Sequence, residues 1–344
     1  MDPTRPPAQR TFKLRHAQLL ADTPQPWRSG LPDLQAINPV PGMICEDESR
    51  FLHWIARNGT GEGCIVDLGP LAGGSTHALC SGLALNPSAT GRARVHSYDL
   101  WRLFPGWESF FPGEQLKIGD DLQPLFRRNL RAFEGLIVEH PGDLRTHHWG
   151  GEPIEILFID AAKAFDLWTH MLREFLPHCI PGRTLIVHQD WVCAECPWIH
   201  LTTARLSEYL VPVDSPDGGT VAFLLQRAIP RALLEEIDFL VQPLPTAAER
   251  FGLAASWMTG WYALNVRLAA AHYLALRGRA EEALAIVSQV LAHPDYAPIV
   301  QYDVELVRAA LRRKAQAGRL LPRWRDACTR MVRRAVETLG ARIG

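Results

Sequence analysis

The spacing of apolar positions divides this chain into three stretches. From Glu46, the residues Phe51, Leu52, Trp54 and Ile55 recur at helical intervals until Gly59, Gly61 and Gly63 break the pattern. Short apolar runs then follow one another: Cys64 to Gly69, Val95 to Asp99, Gly135 to Glu139, Ile154 to Asp160 and Thr184 to His188. Helical patterns separate most of them, the first over 75–85. Strands that alternate with helices make a doubly wound α/β fold, a mostly parallel sheet covered on both faces. A late run, Thr220 to Leu225, is assigned to an antiparallel edge hairpin.

The residues before Pro41 are rich in proline and polar groups and read as an extended arm, with a short helix over 12–20. Beyond Pro230 the strand signals stop, and amphipathic helices rich in alanine, leucine and arginine take over. Among them Ala271 to Leu284, followed by Pro294, is similar to one tetratricopeptide-like helical hairpin. One unit is not an array, so packing or homodimerisation is its expected role. The boundaries are an arm over 1–45, an α/β domain over 46–229 and an all-α extension over 230–344.

Apolar residues make up 47% and charged residues 21% of the 344, enough to fold the bulk of the chain. The net charge is -1, with few lysines, so no global field holds a polyanion and nucleic acid is not an expected partner. The exception is Arg319, Arg323, Arg325, Arg330, Arg333 and Arg334, which a solvated helix face explains more simply. No stretch approaches the ~18 apolar residues of a membrane span, and the start lacks a signal-peptide pattern, so a cytoplasmic protein is expected. Seven cysteines, an odd number, point to thiols in a reducing compartment. Cys193, Cys196 and His200 could give zinc three ligands, but no fourth has comparable spacing, so thiols beside an active-site mouth are expected. Trp198 and His200 are candidates to line an acceptor pocket.

The most informative stretch is Asp67-Leu68-Gly69-Pro70-Leu71-Ala72-Gly73-Gly74-Ser75-Thr76, between a strand and a helix. Glycines let the backbone approach a ligand closely, and a new helix offers N–H groups to a carboxylate or phosphate. Any tight strand-to-helix junction can use such a turn. Asp99 sharpens the reading, because a carboxylate closing the next strand can accept both ribose hydroxyls of a nucleoside. A nicotinamide site shares that acid but has no acid just ahead of its first glycine. Asp67 repels pyrophosphate and suits a cationic amino-acid group.

Over 46–226 the chain resembles the class I S-adenosylmethionine-dependent methyltransferases, whose sheet is Rossmann-like. The resemblance implies that Asp67, Gly69, Gly73, Gly74 and Ser75 hold the methionine end of S-adenosyl-L-methionine and that Asp99 holds its ribose. It places Gly142 and Asp143 at the adenine, a pair that reads equally as a capped turn. The G-G-S-T spelling is similar to sugar-modifying O-methyltransferases of antibiotic pathways, and Phe158 to Lys163 resembles the D-A-D-K strand ending of catechol-type enzymes. Metal-dependent relatives bind a divalent cation such as magnesium at positions matched here by Asp160 and Asp190. Ala162 and Gln189 stand where those relatives carry further acids, so the three-carboxylate set is incomplete.

Without a metal, a general base must take the acceptor proton, and His188 is the first candidate. Lys163 could orient a substrate oxygen or stabilise a developing oxyanion. The plainer readings are a Lys163–Asp160 pair at the strand end and a hydrogen-bonded His188 beneath a lid. The aromatic stretch from Leu100 to Phe111 is read as part of a substrate lid, with a satellite core or an interface patch as alternatives. The expected activity is methyl transfer to a hydroxyl of a small molecule: a sugar, a phenol or a natural-product intermediate. A small amine is the alternative acceptor. A nicotinamide-dependent oxidoreductase and a non-catalytic scaffold are the rival classes, the former lacking a Tyr-x-x-x-Lys pair near the fourth and fifth strands.

Overall fold

The computed structural model describes residues 25–28, 33–89, 94–216, 219–237 and 242–317. The helix expected over 12–20, the arginine cluster from Arg319 and Cys328 lie outside them. Seven strands form one sheet: β1 (Cys64–Leu68), β2 (Val95–Asp99), β3 (Ile137–Pro141), β4 (Ile154–Ile159), β5 (Leu185–His188), β6 (Leu210–Asp214) and β7 (Val221–Leu225). Their order is β3-β2-β1-β4-β5-β7-β6. Pairing is parallel from β3 to β5 and antiparallel at β5–β7 and β7–β6. The expected doubly wound sheet with an antiparallel edge is therefore present.

Two strands depart from expectation. β3 begins two residues later, because Arg131–Leu136 winds into a 3-10 turn that takes up the first apolar positions. β6 has no clear strand pattern, since Pro212 interrupts it. A proline is tolerated there because β6 is the edge, where its missing N–H breaks no ladder.

Contacts divide the chain into two compact units, the first comprising 1–161, 170–189 and 208–231, the second 162–169, 190–207 and 232–344. The first holds the sheet with α1 (Glu46–Arg57), α2 (Gly74–Leu83) and α3 (Gln123–Asn129), while α4 (Phe165–Phe175) begins in the second and ends in the first. The second adds α5 (Pro197–Arg205), α6 (Leu244–Ser256), α7 (Gly260–Leu276), α8 (Ala280–Leu291) and α9 (Gln301–Ala317). Within it α7 is central, packed on α5, α6, α8 and α9. α7 and α8 form the helical hairpin, turning at Gly278, whose φ is +80°. No helix among the described residues is long and apolar enough to cross a membrane.

The arm is less detached than its composition suggests. Trp27 is fully buried in the core beside Phe51 and donates its indole N–H to Asp214 Oδ2 at 2.8 Å. Arg28 lies over the Trp27 ring and pairs with Asp47.

The contact of α1 with α2 depends on one missing side chain. A Cβ at Gly82 would sit 2.1 Å from the His53 carbonyl oxygen and 3.0 Å from Ala56 Cβ. Beside it, His53 Nδ1 and Ser81 Oγ hydrogen-bond at 2.8 Å. Within an exposed helix, Gly→Ala stabilises by roughly 1 kcal/mol. Here the added methyl must push two helices apart, so we expect Gly82→Ala to destabilise by about 2 kcal/mol or more. Urea unfolding of both proteins checks the sign, and a stabilised variant would contradict this packing.

Candidate active site

The ladder continues past the strand ends. Gly69 N–H donates to the Tyr98 carbonyl (2.9 Å), Asp160 N–H to Leu68 (2.8 Å) and Gln189 N–H to Ile159 (3.0 Å). These bonds and the strand register place Asp99, Gly69, Asp160 and Gln189 in one row across the carboxyl edge, the edge at which open α/β sheets bind ligands.

Asp67 lies one layer deeper and is fully buried. Its Oδ2 accepts the Ser75 hydroxyl (2.8 Å) and the Thr76 hydroxyl (2.6 Å), tying the first turn of α2 to β1. Its Oδ1 is buried with no hydrogen-bond partner. Burial raises the Asp67 carboxyl to about 7, against the lowering effect of the two hydroxyls. The Ser75 side chain thus faces the strand, and what the loop presents outward there is backbone.

The loop itself is bent by left-handed residues. Gly69 and Gly73 have φ of +100° and +102°. At Gly73 a Cβ would also meet Leu130 Cδ1 at 2.8 Å, so both conformation and space require glycine. Gly74, the first residue of α2, is under no such restriction, since a Cβ there would meet nothing closer than 3.5 Å.

Asp99 gathers three loops. Its Oδ2 accepts the Leu71 N–H (2.8 Å), its Oδ1 the Trp101 N–H (2.7 Å), and its carbonyl the Gly142 N–H (2.9 Å). Leu71 and Trp101 are themselves left-handed, at φ +53° and +45°, and the Trp101 indole donates to the Leu71 carbonyl at 2.9 Å. Two non-glycine residues in that region cost roughly 1–3 kcal/mol each and persist only where their surroundings hold them. Burial raises the Asp99 carboxyl, opposed by the backbone donors. Each of its oxygens keeps a second lone pair.

Gly142, at φ +123°, hangs on Asp99, and beside it stands Asp143. It caps a short turn by accepting the Arg145 N–H and pairs with the Arg145 guanidinium at 2.7 Å, which holds its carboxyl below the usual range.

On the β5 side, His188 is buried, and its Nδ1 lies 2.7 Å from the Gln189 carbonyl oxygen. A carbonyl only accepts, so Nδ1 carries a hydrogen, and in a neutral ring Nε2 would then hold the lone pair. Gln189 Oε1 is buried with no hydrogen-bond partner. Asp190, left-handed at φ +54°, forms an ion pair with Lys163 within the second unit. The carboxylate that the resemblance gives to a divalent cation thus holds an ammonium. No group of three or more His, Cys, Asp or Glu side chains among the described residues is placed to hold a metal. The donor set does not fit magnesium, and no step below uses one.

Three other expectations resolve as packing. Trp101, Leu103, Phe110 and Phe111 are buried, with Trp101 against Phe126, so these residues of the aromatic stretch form a satellite core. Trp198 is buried and donates to the Ala162 carbonyl at 3.1 Å. His200 is buried between Trp191 and Phe251. What sequence reasoning missed at this edge is the part of Leu71 and Trp101 in holding Asp99. Left-handed backbone at leucine and tryptophan leaves no mark in composition or period.

Sheet order and loop together define a doubly wound, Rossmann-like fold. No protein-family model matches the chain, and no curated protein matches it. Among solved structures, the O-methyltransferase NovP shares 13% identity over 62% of this chain and 98% of its own, with a TM-score of 0.42. CalS11, a TDP-rhamnose 3'-O-methyltransferase of calicheamicin biosynthesis, shares 13% over 61% and 91%, with a TM-score of 0.41. A methyltransferase from Geobacter sulfurreducens shares 17% over 52% and 77%, with a TM-score of 0.35. Likenesses this distant say nothing of substrate.

Asp67 makes a signed prediction. Its carboxyl stands at about 7 when folded, against an ordinary 3.8, so between those values the folded chain keeps a proton that the unfolded chain releases. Its contribution to stability therefore falls as pH rises through that window and is at its least above it. We expect the Tm of Asp67→Asn, relative to the parent, to improve from roughly pH 5 to pH 8. A difference that stays constant across the range would show that Asp67 is not desolvated as described.

Proposed function

We propose that the carboxyl edge of the sheet binds S-adenosyl-L-methionine and that the protein transfers its methyl group to a hydroxyl of a small molecule. The observation that carries this reading is Asp99, a half-buried carboxylate held by two backbone N–H groups beside a left-handed glycine loop. The remaining lone pairs of Asp99 suit the two ribose hydroxyls. The donor's ammonium suits Asp67 Oδ1, the buried acceptor that the loop leaves without a partner. A pyrophosphate would meet that same acid with repulsion, which disfavours a dinucleotide.

The donor supplies an activated methyl on a sulfonium, so the chain's task is to position the acceptor and take its proton. His188 Nε2, the lone-pair nitrogen of its neutral ring, is the proposed base for a hydroxyl. Sugars, phenols and natural-product intermediates all present such a group.

Calorimetric titration tests the reading directly. The parent should bind S-adenosylmethionine and S-adenosylhomocysteine but not NADH. Asp99→Asn should bind the donor about tenfold or more weakly, the loss expected for charge-assisted hydrogen bonds, with an unchanged circular dichroism spectrum. Affinity for NADH, or donor affinity indifferent to Asp99→Asn, would reject the proposal.

A further inference from the structure

The segment between β5 and α5 carries Cys193-Ala194-Glu195-Cys196, which donor binding leaves unused. It is built as two successive turns. Cys193 N–H donates to the Asp190 carbonyl at 2.9 Å, and Cys196 N–H to the Cys193 carbonyl at 3.2 Å. The second bond closes a turn whose first and last Cα atoms lie within about 7 Å. Disulfides span Cα separations of about 4.4–6.8 Å. Both residues are thiols, and their side chains hydrogen-bond to one another.

The backbone around the pair is anchored. Cys196 is the N-cap of α5, with Pro197 fixing the first helical position. His272 Nδ1 lies 3.0 Å from the Ala194 carbonyl oxygen, to which it donates. Linking the two sulfurs therefore asks for side-chain rotation, not for a new path of the chain. The two thiols differ in access: Cys193 is partly exposed, whereas Cys196 is buried. That asymmetry divides the roles of attacking and resolving thiol. The remaining described cysteines lack the arrangement. Cys64, Cys80 and Cys179 are buried, and Cys45, as accessible as Cys193, has no cysteine near it in the sequence.

We propose that Cys193 and Cys196 are a modification site, a vicinal dithiol that closes to a reversible disulfide by exchange with a low-molecular-weight disulfide. The Cys193 thiolate attacks one sulfur of the oxidant, forming a mixed disulfide and releasing one thiol. Cys196 then loses its proton to solvent and attacks the Cys193 sulfur, releasing the second thiol. Two electrons and two protons pass from the pair to the oxidant, which leaves as two thiols. The site does not rest on the donor reading. Its turn begins at the Asp190 carbonyl, so the new bond would tighten the chain beside the Lys163–Asp190 ion pair.

The test uses the full chain and oxidised glutathione. After exposure, remaining thiols are alkylated without reduction and the protein is cut with trypsin. The peptide 184–205 contains Cys193 and Cys196 and no other cysteine. It should carry no alkyl group and have lost two hydrogens, and it should accept two alkyl groups when dithiothreitol is added first. Cys196→Ser should trap glutathione on Cys193, while Cys193→Ser should remain unmodified over the same time. Cys45 should hold glutathione without forming an internal bond. Two alkyl groups on the oxidised parent peptide would overturn the proposal, and this arm needs no variant to fold. Equal trapping on Cys196 in Cys193→Ser would overturn the assignment of roles.

Discussion

A carboxylate withdrawn from water must find hydrogen-bond donors or give up its charge, and the first two strands of this sheet each end in that situation. Asp67 is compensated on one oxygen by two hydroxyls from α2 and uncompensated on the other. Asp99 is compensated by backbone from two different loops, and its own carbonyl holds a third. Hydrogen bonds to a charged group contribute roughly 1.5–3 kcal/mol, comparable to the cost of the left-handed leucine and tryptophan they hold. The loops after β1, β2 and β3 are thus shaped by where these two acids need donors.

The β5 side of the edge follows a different logic. There the groups are an imidazole oriented by a carbonyl and an amide oxygen without a hydrogen-bond partner. Fold alone does not say which acceptor is used.

The sequence displayed the sheet well because its strands are short apolar runs bounded by glycine, proline or an acid. Cys64 to Leu68 and Ile154 to Ile159 are clear cases, buried along their whole length. Asp67 and Gly69 were visible because an acid and a glycine at the end of a strand make a local pattern, and Asp99 because an acid closes the next strand. What stayed hidden depended on partners far along the chain. Pro212 masked β6, whose identity as a strand comes from pairing with β7. Trp27 sat in a proline-rich context, and nothing nearby in sequence indicated a burial site formed by Phe51 and Asp214.

That last link bears on how the chain is made. Trp27 and Asp214 are 187 residues apart, and the buried hydrogen bond from Thr220 to Glu48 joins positions 172 apart. A ribosome releases residues in order, so α1 and the segment before it emerge long before the hairpin that completes their surroundings. Contacts of such separation form slowly, and apolar surface left waiting for them is prone to association. Trp27 and α1 are thus made well before the residues that seal them, and their apolar surface needs shelter until β7 arrives.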